Sequence, residues 1–205
     1  MRARARNAKA RHRGAAKAVP RRKRLAAESW VAAALDALGV GGIEAVRVEP
    51  LAAALSVTKG SFYWHFADRR ALIEAMLDSW QNGRIAAIRE QVRGANAPAA
   101  ILDRLAALYT QRVHLKGLSI ELAVRAFARS DKRAAGAVRA VDAERLRHVA
   151  RQFVRLGFSP AQGRVRAVLF YSCLFGQSLF DAAGVPVSLR QQAIATLMVA
   201  PSRSH

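Results

Sequence analysis

Between Leu55 and Phe66 the chain reads Leu55-Ser56-Val57-Thr58-Lys59-Gly60-Ser61-Phe62-Tyr63-Trp64-His65-Phe66, a short run dense in hydroxyls, aromatics and basic groups. Such groups donate hydrogen bonds and stack, and no nucleophile stands in a nucleophile elbow. Thr58 is a good N-cap, because its hydroxyl can accept from an unpaired N–H of a first helical turn. At roughly 100° per residue, Phe62 and Phe66 fall on one side of the helix that follows. Gly60, Ser61 and Trp64 fall on the other. A glycine, a small hydroxyl and a large aromatic opposite two core-facing rings suit a groove better than open solvent. A rotation of that helix would bury Trp64 instead, and Tyr63 has half-buried packing as its competing role.

The elements that must position this face lie just upstream. Pro50-Leu51-Ala52-Ala53-Ala54-Leu55 has the composition of a short helix, with Pro50 tolerable only in its first turn. A turn of four residues at most separates the two helices, so they must cross sharply. This is the unit that sets a recognition helix, here about residues 58–65, into a major groove.

Charge points the same way. The chain has 205 residues, 34 Lys and Arg against 14 Asp and Glu, and a net charge of +20, which calls for a polyanionic partner. Residues 1–24 hold eleven basic groups, no acid and no large apolar side chain except Val19 and Met1, so they cannot bury a core and are expected to be disordered when free. Residues 1–20 read as an arm that follows the duplex or enters a minor groove.

Residues from about 21 to 80 resemble the DNA-binding domain of the tetracycline-repressor (TetR) family of bacterial transcription regulators. The likeness rests on Leu51-Ala52-Ala53-Ala54-Leu55-Ser56-Val57-Thr58-Lys59-Gly60, then Phe62-Tyr63-Trp64-His65-Phe66, then Asp68-Arg69-Arg70-Ala71-Leu72. The resemblance implies phosphate contacts from Thr58, Lys59, Tyr63, His65 and Arg69, and a further one from Arg47 at the opening of the second helix. It implies close backbone approach at Gly60, and base-edge or thymine-methyl contacts from Ser61 and Trp64. Two residues depart from the pattern. Ser56 stands where glycine is usual, and Pro50 where an acid is common. A left-handed backbone at Ser56 would cost of order 1 kcal/mol.

The rest of the chain shows little strand periodicity, and the expected class is all-α: an N-terminal three-helix reader over 21–80 and a larger helical domain over 81–205 for ligand binding and dimerisation. Helices are expected over about 22–38, from Asp68 to about Arg93, and over 98–114, 118–129, 132–156, 160–183 and 188–199. Asp68, Asp131, Ser159 with Pro160, and Ser188 are start signals; Gly157 and Gly184 are stops, and Gly39-Val40-Gly41-Gly42 ends the first helix. The helix over 160–183 carries apolar residues on most of its circumference and is expected to be buried nearly all round. Close helix approach is expected at Ser172, Cys173 and Gly176. Its residues Val168, Ser172, Phe175, Gly176 and Leu179, with Ala193 and Leu197 of the last helix, are the expected homodimer interface, ordinary monomer packing being the competing role. The resemblance also implies a pocket for an unknown small-molecule effector, with Trp80, Tyr109, Phe127 and Phe170 as candidate lining residues whose competing role is core packing.

No cofactor or metal site is read. The five histidines are not matched to each other or to a carboxylate at metal-ligand spacing, and the acids look scattered, Asp142 and Glu144 lying on different helix faces. Cys173 is the only cysteine, read as a buried, inert thiol, and neither a secretory segment nor a membrane span is legible. A cytoplasmic, nucleoid-associated protein with double-stranded DNA, an effector and its own copy as partners is the expectation. The resulting function is a ligand-responsive, sequence-specific regulator, most simply a repressor on a palindromic operator. The alternatives are a nonspecific architectural DNA-binding protein and, from a different class, a small-molecule enzyme.

Overall fold

The computed structural model of the chain describes residues 26–92, 97–110, 115–176 and 184–198. Among them there are nine α-helices and no strand: α1 (Ala27–Gly41), α2 (Val48–Ala54), α3 (Lys59–Phe62), α4 (Arg69–Val92), α5 (Pro98–Thr110), α6 (Leu115–Phe127), α7 (Lys132–Arg155), α8 (Pro160–Gly176) and α9 (Val187–Met198). The basic stretch 1–24 lies outside the described residues, as do residues 177–183, over which the eighth helix was expected to continue.

Three of the four start signals are side-chain caps. Asp68 Oδ1 accepts from the Ala71 N–H at 2.8 Å, and Asp131 Oδ1 from the Ala134 N–H at 2.7 Å. Ser159 and Gln162 form a reciprocal box, Gln162 N donating to Ser159 Oγ at 3.2 Å and Ser159 N to Gln162 Oε1 at 3.0 Å. Ser188 instead lies one residue inside α9. The first helix runs past Gly39 and ends at Gly42, whose φ of 68° lets its N–H turn back to Leu38 O at 2.9 Å. Gly39 has a packing role: a Cβ there would lie 2.8 Å from Ile120 Cγ1, so its absence lets α1 press against α6.

The apolar residues bury into two clusters. The first joins α1 to α4 with α6 and α7 and includes Trp30, Leu38, Leu51, Phe62, Phe66, Leu72, Met76, Leu77, Trp80, Val124 and Val141. The second joins α5, α7, α8 and α9 through Ile101, Leu102, Phe153, Phe170, Leu174 and Ile194. Because α4 is unbroken through residue 80, the expected boundary there falls inside one helix that reaches from Leu72 to Ile88 within the first cluster.

The expectation of scattered acids needs correction. Glu121 of α6 is almost fully buried, with Arg145 of α7 donating to both its carboxylate oxygens at 2.8 Å. Arg125 reaches Glu121 at 3.0 Å and makes a two-point contact with Asp142 at 2.9 and 2.5 Å, while Arg84 of α4 lies 3.5 Å from Glu121. A second knot centres on Glu144, which receives Arg89 of α4 at 3.1 Å, Arg147, and His148 Nε2 at 3.1 Å. Glu144 and His148 are one helical turn apart, a carboxylate–imidazole spacing that the sequence reading passed over. Among the described residues, no cluster of three metal-ligating side chains forms.

Within one chain the eighth helix is covered on one side, the other being the side expected to meet a second copy. Gly163, Ala167, Phe170, Tyr171 and Leu174 face inward, but Val165, Val168 and Leu169 are exposed, so α8 is buried on one face only. Close approach occurs at Gly163, where a Cβ would sit 2.9 Å from Ala150 O of α7, whereas one at Gly176 would meet nothing within 4 Å. Cys173 is half-buried against the second cluster rather than sealed within it.

Burial alone would raise the Glu144 pKa, but the bonds from Arg89 and His148 and the charge and bond of Arg147 outweigh it and hold the group down to about 2. A depressed carboxylate stabilises the fold above its unfolded value and ceases to do so as pH falls through the folded one. Urea midpoints measured against pH should therefore decline from about 4.5 towards about 2. Glu144→Gln, less stable at neutral pH, should flatten that decline; an unchanged profile would remove Glu144 as a source of acid sensitivity.

Candidate nucleic-acid interface

The turn before α3 is built by local geometry. Ser56 has φ 56°, the left-handed conformation that its position requires, adopted here without glycine. Its N–H donates to Ala53 O and that of Val57 to Ala52 O, both at 3.0 Å, the paired bonds that close a Schellman end on α2. Pro50 sits in the first turn of α2, as its missing N–H demands. Arg47 is the residue before α2, exposed and extended, and its side chain makes no cap.

The regular helix of α3 covers only Lys59–Phe62, shorter than the expected 58–65. Residues 63–65 continue as turns in which Phe62 O accepts from His65 N at 2.9 Å and Phe66 N at 3.0 Å. The three-residue bond tightens the segment so that both phenylalanines reach the core. Phe62 is fully buried, edge-on to Trp30 at 5.3 Å between ring centres, and Phe66 stacks on it at 5.5 Å. Their burial turns the intervening residues outward: Tyr63 is 55% exposed and Trp64 77%. Trp64 is thus on the outer face, not in the core.

Thr58 occupies the N-cap position with extended backbone, but its hydroxyl does not cap; its carbonyl accepts from Ser61 N at 3.0 Å. Thr58, Lys59 and Gly60 are exposed, and Ser61 and His65 are half-buried. At Gly60 a Cβ would meet nothing nearer than Thr58 Oγ1 at 3.8 Å, so nothing inside the fold requires glycine there. Arg69 also has partners within the fold. Its Nε donates to Val46 O and its Nη2 to Ile43 O, each at 2.6 Å, clasping the start of α4 to the connector before α2. Sequence reasoning missed Glu49, whose Oε1 lies 2.5 Å from Lys59 Nζ. That bond lowers the Glu49 pKa and raises that of Lys59.

The candidate effector residues do not converge. Trp80 lies in the first cluster with its Nε1 buried and unpartnered, Phe127 packs against that same cluster, and Phe170 belongs to the second. Tyr109 is in α5, but its side chain lies outside the described residues. A cavity of about 10 Å³, bounded by Ile88, Ile101, Leu105, His148, Gln152 and Tyr171, has room for a single water and includes none of these four. Of the candidate dimer residues, Val168, Ser172 and Ala193 are exposed, while Phe175 and Gly176 are half-buried. Phe175 also has internal partners, the guanidinium carbons of Arg125 and Arg145 lying 4.6 and 5.4 Å from its ring centre. Leu179 lies outside the described residues, as does the side chain of Leu197.

A sharply turned helix pair carrying an exposed aromatic and hydroxyl face, on an all-helical scaffold, is the arrangement of a helix-turn-helix protein. Residues 31–76 match the family described as bacterial regulatory proteins, tetR family. Among solved structures, a transcriptional regulator from Rhodococcus sp. Rha1 is similar over 86% of this chain and 100% of its own, at 20% identity and TM-score 0.68. A member of the TetR family from Streptomyces coelicolor A3 matches over 84% of this chain and 98% of its own, at 20% identity and TM-score 0.60. A Saccharomonospora viridis protein described as a transcriptional regulator, in complex with choline, matches over 84% and 94% at 15% identity and TM-score 0.71. No curated protein matches the chain. At these identities the likeness shows the fold.

Removing the Arg69 clasp should loosen the reader. Arg69→Met is expected to cost about 2 kcal/mol in denaturant unfolding, because two carbonyls lose a charged donor. Arg69→Lys, with one compact head in place of a planar fork, should recover less than half. A melt unchanged in Arg69→Met would return this residue to a purely external role.

Proposed function

We propose that the chain is a homodimeric, ligand-responsive transcriptional regulator, most simply a repressor, that reads a palindromic operator. The observation carrying this reading is the outward display of Tyr63 and Trp64 beside exposed Thr58, Lys59 and Gly60, enforced by the burial of Phe62 and Phe66. Each α3 and the turn after it enter one major groove, with half-sites about one helical turn apart, roughly 34–36 Å. Thr58, Lys59, Tyr63, His65 and Arg47 hold phosphates, and Arg69 supports them chiefly by fixing the connector. Ser61 and Trp64 read bases, and Gly60 leaves room for the duplex backbone.

The exposed row Val165, Val168 and Leu169 on α8, with Leu189 and Ala193 on α9, is the face on which a second copy docks. Effector binding favours a dimer spacing that no longer fits the grooves. The effector enters by parting the helices around the small space near His148 and Tyr171.

The deciding measurement is affinity for the DNA upstream of the protein's own gene against the same length scrambled; equal values would defeat the specificity claim. Tyr63→Phe should weaken binding across sequences by removing one phosphate donor, and a loss confined to one base pair would reassign Tyr63. Val168→Asp should shift the sedimentation coefficient to that of a monomer, and a persistent dimer would place the interface elsewhere.

A further inference from the structure

Residues 47–65 contain one carboxylate, Glu49, and, beyond Arg47 at their edge, one permanently charged cation, Lys59. The fold places these two together. Glu49 is in the first turn of α2 and Lys59 opens α3, ten positions later, and their side chains meet at 2.5 Å while both remain largely exposed. An acid in a first turn already suits the helix dipole, so the position of Glu49 does not require Lys59. The side chain of Lys59 nevertheless leans across the turn to the carboxylate. The outer face of α3 is thereby left with hydroxyls and aromatics and no uncompensated charge, in a chain whose net charge is +20.

Resting on the DNA-reading function above, we propose that Glu49 sets the affinity of the reading face: it holds Lys59 in the free protein and yields it only where a close-fitting duplex offers a better partner. A loosely docked, mismatched duplex leaves the pair closed, and Glu49 itself repels the phosphates. A close-fitting site brings a phosphate oxygen or a guanine edge within reach of Nζ, and the lysine exchanges partners. The pair therefore subtracts its own energy from a close-fitting site and, from a mismatched one, the weaker contact that Lys59 forgoes, which restrains a strongly basic chain on every duplex.

The test uses the full chain and two probes, a random-sequence duplex and a duplex selected by the wild-type protein from a random pool, followed by fluorescence anisotropy across a salt series. Glu49→Gln should bind the random duplex roughly two- to fivefold more tightly, the range of an exposed ion pair, and its log–log salt slope should steepen by about 0.9, the share of one added phosphate contact. Affinity for the selected duplex should rise at least as much, with less change of slope because Lys59 already meets the duplex there. In a Lys59→Met background the same Glu49→Gln change should lose its effect on the slope. Circular dichroism of each variant establishes that the helices are intact.

An unchanged slope in Glu49→Gln overturns the proposal. So does a gain that persists in Lys59→Met, because Glu49 would then act as a bulk charge and not through the lysine. A loss of affinity confined to duplexes carrying one particular base pair also overturns it and makes Glu49 a direct reader. A wild-type protein that selects no sequence from the pool sinks the DNA-reading function itself, a failure separate from the others.

Discussion

The contact on which the reader depends is Phe62 against Trp30. A helix of four residues has no stability of its own, since one turn cannot repay the cost of nucleation. What holds α3 is the burial of its last side chain, edge-on to a buried tryptophan of α1, with Phe66 stacked behind it. Truncating such a ring to alanine costs about 3–5 kcal/mol in a packed core. The same burial fixes orientation. Once Phe62 points inward, the next two residues must turn away from the core, and they are Tyr63 and Trp64. The outer face is thus a consequence of the inner one.

A second constraint ties the reader to the remaining helices. Helix α6 presses on α1 where Gly39 admits Ile120, and Lys116 pairs with Asp36 at 2.7 Å. Its other side carries Glu121, surrounded by Arg145, Arg125 and Arg84 from three helices including its own. Burial would raise the Glu121 pKa, but the guanidinium of Arg145 and its neighbours hold it below the ordinary carboxylate range, so it stays charged. A buried ionic cluster is a weak source of net stability, because desolvation offsets the attraction. It does discriminate sharply against misplacement, since sliding α6 would leave a carboxylate buried without partners. Arg125 and Arg145 also sit over Phe175 of α8, so one cluster fixes α6 against both α4 and the outer helices.

What was legible in the sequence was local or periodic. Asp68, Asp131 and Ser159 sit where their caps form, because a cap needs only the three residues after it. Phe62 and Phe66 follow from spacing, and the left-handed Ser56 follows from its place in the turn. The rest turned on partners distant in the chain. Arg69 bonds carbonyls 23 and 26 positions away, and Arg145 meets Glu121 across 24, separations over which no periodicity speaks. Trp80 and Phe170 look alike as buried aromatics but enter different cores, which composition cannot tell. The apolar circumference of α8 is a separate case. A helix with apolar residues all round is expected to be covered all round, but within a single chain only one side finds a neighbour.

In the proposed regulator, attraction and discrimination fall to different parts of the molecule. Charge acts at a distance and is indifferent to sequence, so a net +20 can gather duplex without choosing among sites. Choice needs short-range groups that gain only at correct geometry: the hydroxyls of Thr58, Ser61 and Tyr63 and the indole of Trp64. A bare lysine among them would add affinity on every duplex, because an ammonium finds a phosphate on any of them. The free protein carries its Lys59 already bonded to Glu49, so close fit, rather than charge, decides what the reading face gains on contact.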